Sequence, residues 1–91
     1  MYIKQSYSAK YNRSGAGAAT FITNVSLDGY EPQIVALTSA SLRSDGPRPD
    51  SLSIWLDKDG RNDIVKGTVY YVYGEDGAYG DVYFDVYYTV K

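Results

Sequence analysis

The sequence predicts an all-β fold: an antiparallel β-sandwich of about six strands with no substantial helix. Three observations predict it. Apolar and polar residues alternate with period two, most cleanly over Asp81–Val90. There Val82, Phe84, Val86, Tyr88 and Val90 fall on one face, and Tyr83, Asp85, Tyr87, Thr89 and Lys91 on the other. No window sustains a 3.6-residue apolar period, and Val, Ile, Thr and Tyr fill the periodic segments. Clusters of Gly, Pro, Asp and Asn punctuate the chain between those segments, the spacing of short strands in a sandwich.

The 91 residues are expected to form a single domain, residues 1–91. A chain of this length buries only roughly 60% of its unfolded surface. It has no cysteine for disulfides, so self-association is the expected supplement to a small core.

Tyr2–Ala9 alternates weakly, with Ile3 and Tyr7 on one side, and reads as a first, edge strand. Lys10–Ala18 reads as a loop, because its small residues and glycines bury little. No Lys-Ser/Thr follows Gly15 and Gly17, which removes a phosphate-cradling role. In Ala19–Leu27, Phe21, Val25 and Leu27 oppose Thr20, Ile22, Asn24 and Ser26. Asp28–Pro32 then breaks the strand, with Gly29 supplying the positive φ of a tight reversal. Gln33–Ala40 is the third strand, and its run Ile34-Val35-Ala36-Leu37 predicts burial on both faces.

Leu42–Asp50, with Pro47 and Pro49, reads as a long but firm loop. Ser51–Asp57 directs Leu52, Ile54 and Leu56 inward and Trp55 outward, where a neighbouring subunit or a ligand would cover it. The last third reads as two long strands, Asp63–Tyr73 and Asp81–Val90, joined as a hairpin. Between Asp57 and Asp63 lies Asp-Lys-Asp-Gly-Arg-Asn-Asp. Asp-Gly between strands signals a hairpin turn. The carboxylates of Asp57, Asp59 and Asp63 also resemble part of a calcium loop, although Arg61 occupies a position where an EF-hand needs oxygen.

Composition excludes several chemistries. Without Cys or His there is no Ser-His-Asp triad, no Cys-His nucleophile and no His-ligated metal, so neither enzyme activity nor a cofactor is expected. A net charge of −2, with the basic residues scattered, argues against phosphate neutralisation and hence against nucleic-acid binding. No run approaches the length of a membrane span and no signal peptide is visible, so no membrane insertion is expected.

The run Gly29-Tyr30-Glu31-Pro32-Gln33-Ile34-Val35-Ala36-Leu37-Thr38-Ser39, followed by the terminal Tyr87-Tyr88-Thr89-Val90-Lys91, resembles a known pattern. It is similar to the C-terminal β-sandwich domains of bacteriophage and prophage tail fibres and receptor-binding proteins, and to the H-type lectins. The resemblance extends in order of elements over residues 19–91. It implies a homotrimer that binds cell-surface glycans or a protein receptor at loops near subunit boundaries. It also implies a location in the virion or the host cytoplasm. The chain departs from the family in lacking the histidines that H-type lectins use on sugar. Its own Met1 leads to the expectation of a complete small protein without a fibre shaft.

Sugar recognition needs flat aromatic faces together with carboxylates or guanidiniums for hydroxyl groups. Trp55, with Arg43, Asp45 and Arg48 of the adjacent loop, are the candidate ligand residues. Tyr70, Tyr83 and Tyr87, on the outward face of the last strands, are the candidates for a subunit or partner interface; Asp85 shares that face. Tyrosine brings large contact area at low rotamer cost, though it is equally a good strand residue that packs in cores. The alternatives to a glycan-binding module are a virion structural protein, such as a capsid decoration or small fibre, and a small phage-encoded inhibitor of a host protein.

Overall fold

The computed structural model describes residues 1–13, 17–44, 49–71 and 78–91, and describes side chains at 1–11, 20–41, 52–69 and 80–91. Six strands account for nearly all of it: β1 (Ile3–Arg13), β2 (Gly17–Asn24), β3 (Tyr30–Ser44), β4 (Pro49–Asp59), β5 (Asn62–Tyr71) and β6 (Ala78–Val90). They form two three-stranded antiparallel sheets, β1-β6-β3 and β2-β5-β4, packed face to face as a small β-sandwich. The extents of 45 × 25 × 14 Å describe a flat, elongated two-layer body.

The inward residues are those the alternation selects. Phe21 and Val25, Val65 and Val69, and Val82, Phe84, Val86 and Tyr88 are buried together with Ala9 and Tyr11. Leu52, Ile54 and Leu56 of β4 pack against them while remaining half-buried. Two glycines lie on the central strands facing aromatic neighbours. Gly67 of β5 pairs with Phe21 of β2, whose ring occupies the space of a Cβ. Gly80 of β6 pairs with Tyr11 of β1, whose hydroxyl donates 3.0 Å to the Ser41 carbonyl of β3. A Cβ at Gly80 would collide with that carbonyl oxygen. Each missing side chain thus leaves room for an edge-strand aromatic to lie across the central strand.

A polar link crosses the core. The Tyr88 hydroxyl of β6 donates to the carbonyl of Val25, just past β2, and lies within hydrogen-bond distance of the Tyr7 hydroxyl of β1. Burial, and then the bond to Tyr7, raise the Tyr88 phenol above its ordinary pKa. Tyr7 also stacks on Phe84, its cross-strand partner, with centroids 5.7 Å apart.

Two turns are defined by glycine. Gly29 has φ +83°, and the Tyr30 N–H donates to the Leu27 carbonyl at 3.0 Å, closing a four-residue turn. Gly60 has φ +63° while Arg61 does not, the pattern of a two-residue II′ hairpin between the paired Asp59 and Asn62.

The structure corrects several expectations. Residues 63–73 and 81–90 are not a hairpin: β5 and β6 lie in different sheets, each as the central strand. Ile34-Val35-Ala36-Leu37 is not buried on both faces. β3 is an edge strand carrying bulges at Pro32/Ile34 and Leu37/Ser39, and Ile34 and Leu37 are 46% and 47% exposed. Val90 keeps the inward parity of β6 but runs past the core and is exposed. The expected loops are shorter than their composition suggests. β1 continues to Arg13 and β2 starts at Gly17, while β3 reaches Ser44 and β4 begins at Pro49. The edge position of β1 and the outward Trp55 are as expected.

Candidate functional site

The outer face of β2-β5-β4 holds a shallow open depression of about 200 Å3. Its position follows from register. Ile22 of β2, Lys66 of β5 and Trp55 of β4 form one cross-strand row, with Thr20 and Thr68 in the next row. Even-numbered residues of β2 and β5, and odd-numbered ones of β4, share this outward face because side chains alternate along a strand. Ile22 and Trp55 are 65% and 40% exposed, so the row offers two apolar walls with an ammonium between them.

Charge at the site is organised by Asp57. Its carboxylate lies 3.2 Å from the Lys66 ammonium, diagonally across the β4–β5 pair. It also accepts the backbone N–H of Lys58 at 2.8 Å. That backbone bond, then Lys66 and a smaller contribution from Trp55, hold the Asp57 carboxyl below its ordinary pKa. The arrangement offers an aromatic face, one cation and one anion in hydrogen-bonding positions, and two hydroxyls.

The structure does not bring the carboxylates of Asp57, Asp59 and Asp63 together. Alternation sends Asp57 and Asp63 to opposite faces of the β4–β5 hairpin, where each carboxylate is held by a different lysine. Asp63 is buried, pairs with Lys58 at 2.9 Å and raises the Lys58 ammonium above its ordinary pKa. No group of three metal-ligating side chains gathers among the described residues.

Of the other candidates, Tyr83 and Tyr87 lie on the outer face of β1-β6-β3, far side to the Trp55 depression. Tyr83 is 45% exposed, and Tyr87 is half-buried against the edge of Tyr2, with centroids 6.1 Å apart. Asp85 on the same face accepts a 2.7 Å bond from Ser6. Asp45 and Arg48 lie outside the described residues, and Arg43 and Tyr70 belong to β3 and β5 with side chains outside them. Trp55 is thus placed with Ile22, Lys66, Thr20 and Thr68. Sequence reading put Ile22 and Thr20 outward but not beside Trp55. That proximity is created by β2 and β4 flanking β5, which no local pattern encodes.

No helix among the described residues is long and apolar enough to cross a membrane. No known family model, curated protein or solved structure matches the chain.

Proposed function

We propose that the chain is a non-enzymatic recognition module of the phage receptor-binding kind, which seats a single sugar ring of a cell-surface glycan on the outer face of β2-β5-β4. The observation that carries this is Trp55, half-exposed in a cross-strand row with Lys66 and Ile22. An indole face stacks on sugar C–H groups, while Lys66 donates to hydroxyls and Asp57 and the threonines accept from them. The cavity is smaller than the roughly 300 Å3 at which drug-sized sites begin, so affinity falls in the millimolar-to-micromolar range typical of one ring on an open surface.

Trp55 is the sole tryptophan, so tryptophan emission excited selectively, at the red edge where the 11 tyrosines do not absorb, reports this site alone. Titration with a panel of mono- and disaccharides is expected to give one saturable change. Lys66→Met is expected to weaken it about tenfold, through loss of a charge-assisted hydrogen bond. A folded sample silent both in fluorescence and on a glycan array would overturn the reading.

A second reading has its own observation. Tyr2, Tyr83 and Ile34 stand exposed on the opposite outer face, a surface suited to docking on a virion or host protein. Selective loss of one partner in Tyr83→Ser pull-downs, with sugar binding unchanged, would favour it.

A further inference from the structure

We propose that β2 joins β2 of a second copy about a two-fold axis, fusing the two β2-β5-β4 sheets into one six-stranded sheet. Among the described residues β2 pairs with β5 alone. The Val25 N–H donates to the Asp63 carbonyl at 2.9 Å, which fixes the direction of the odd-numbered groups toward β5. In an antiparallel strand the lateral direction of N–H and C=O alternates by residue, so Thr20, Ile22 and Asn24 point theirs at the open edge. Their side chains stand on the outer face, out of the core.

The four edge strands differ sharply in how they are guarded. β1 carries Lys4, Lys10 and Arg13. β3 carries Glu31, Pro32 and two bulges. β4 carries Pro49, Asp50, Asp57, Lys58, Asp59 and a bulge. Charges, prolines and bulges are the devices that keep a sheet edge from pairing with another chain. β2, Gly-Ala-Ala-Thr-Phe-Ile-Thr-Asn, has none of them, and its register with β5 is unbroken from Gly17 to Asn24. It also carries Ile22, at 65% the most exposed large hydrophobic residue in a strand interior among the described residues.

The partner with matching chemistry is a strand of equal character, and β2 itself supplies one. An antiparallel pair centred on Ile22 sets it against Ile22 of the partner subunit, with two mutual backbone hydrogen bonds. Thr20 and Asn24 of the partner subunit then exchange bonds with Asn24 and Thr20 respectively. The two isoleucines cover each other on the outer face. An isologous contact of this kind closes at two copies, whereas pairing with an unlike edge would propagate. The three-fold assembly implied by the tail-fibre resemblance uses a different surface and predicts a different mass. The dimer does not depend on sugar binding, but it would set two Trp55 depressions on one continuous face, suited to bivalent engagement of a dense glycan.

The test is sedimentation equilibrium of the full chain across a concentration series, with amide exchange in parallel. The wild type is expected to reach twice the 10.1 kDa chain mass, and the Ile22 and Asn24 amides to exchange more slowly as concentration rises. Ile22→Pro removes only an edge-facing N–H, and Ile22→Lys places two ammonium groups at the axis. Both are expected to give monomers with wild-type circular dichroism. Should the proline variant misfold, the lysine variant carries the test. A wild type that stays monomeric at millimolar concentration, a three-fold mass, or a dimer that survives Ile22→Lys would each overturn the proposal.

Discussion

At the scale of single residues, one buried tyrosine carries a polar contact between the two sheets. Tyr88 is buried and its hydroxyl satisfies the Val25 carbonyl across the two sheets, with Tyr7 beside it. Tyr88→Phe keeps the ring but leaves that carbonyl without its side-chain donor, at a cost of about 1–3 kcal/mol. With a urea slope of about 1 kcal/mol/M for a small domain, the unfolding midpoint is expected to fall by about 1–3 M. The same residue sets the alkaline limit. Its folded pKa is raised, so the stabilisation is complete below the ordinary phenol value of about 10 and is lost as pH rises beyond it. Lys58, raised by Asp63, loses its contribution in the same direction. Alkaline unfolding is therefore expected to be steeper in the wild type than in Tyr88→Phe, as followed by ellipticity between pH 9 and 12. Asp57 works at the other end. Its lowered pKa gives a contribution present above about pH 4 and lost as pH falls, and Lys66→Met is expected to shrink that acid-side loss.

At the scale of elements, alternation in β6 was legible, and it placed Val82, Phe84, Val86 and Tyr88 inward and Tyr83 outward. What could not be read was partnership. A strand's own residues say which face is buried but not which strand lies beside it, so β5 and β6 looked like a hairpin when they are the centres of opposite sheets. The apolar run Ile34–Leu37 misled for a related reason. Ile34 pairs with Tyr87 and so stands on the outer face, which no second layer covers, while Leu37 pairs with inward Phe84 but lies on the edge strand beside the second bulge. The glycines of the two central strands give a sharper test of packing. At Gly80 an added methyl meets the backbone oxygen of Ser41, which cannot turn aside, whereas at Gly67 it meets the ring of Phe21, which can. Overpacking costs typically 1–3 kcal/mol. Gly80→Ala is expected at or beyond the top of that range and Gly67→Ala below it, compared by urea midpoints. Placing Gly67→Ala in a Phe21→Leu background is expected to cost less than in the wild type, because the smaller side chain vacates the space. Equal costs in both backgrounds would mean the ring does not lie over the glycine.

At the scale of the whole molecule, the two sheets are built almost entirely from distant partners. Among the described residues the β4–β5 hairpin alone joins neighbours in sequence, while β1 pairs with β6 from Ile3↔Tyr88 to Arg13↔Ala78. Closing so long a loop before any of its contacts form makes this a slow-folding topology, in the millisecond-to-second range of non-local β domains. The same pairing brings residues 1 and 91 to one end of the sandwich, since Ile3 lies opposite Tyr88 and the Lys91 N–H reaches the Gly29 carbonyl. A short linker from residue 91 to residue 1, with the chain opened between Gly60 and Arg61, would turn the longest-range pairing into a hairpin. It would give up only one exposed two-residue turn. The permuted chain is expected to retain the β-sheet spectrum and to refold faster than the parent in stopped-flow measurements. Its unfolding rate should rise as the β4–β5 connection is lost. A permutant that refolds no faster would show that closure of the β1–β6 pair is not the slow step. The slow step would then fall to β3, which must lay down two bulges against the same central strand.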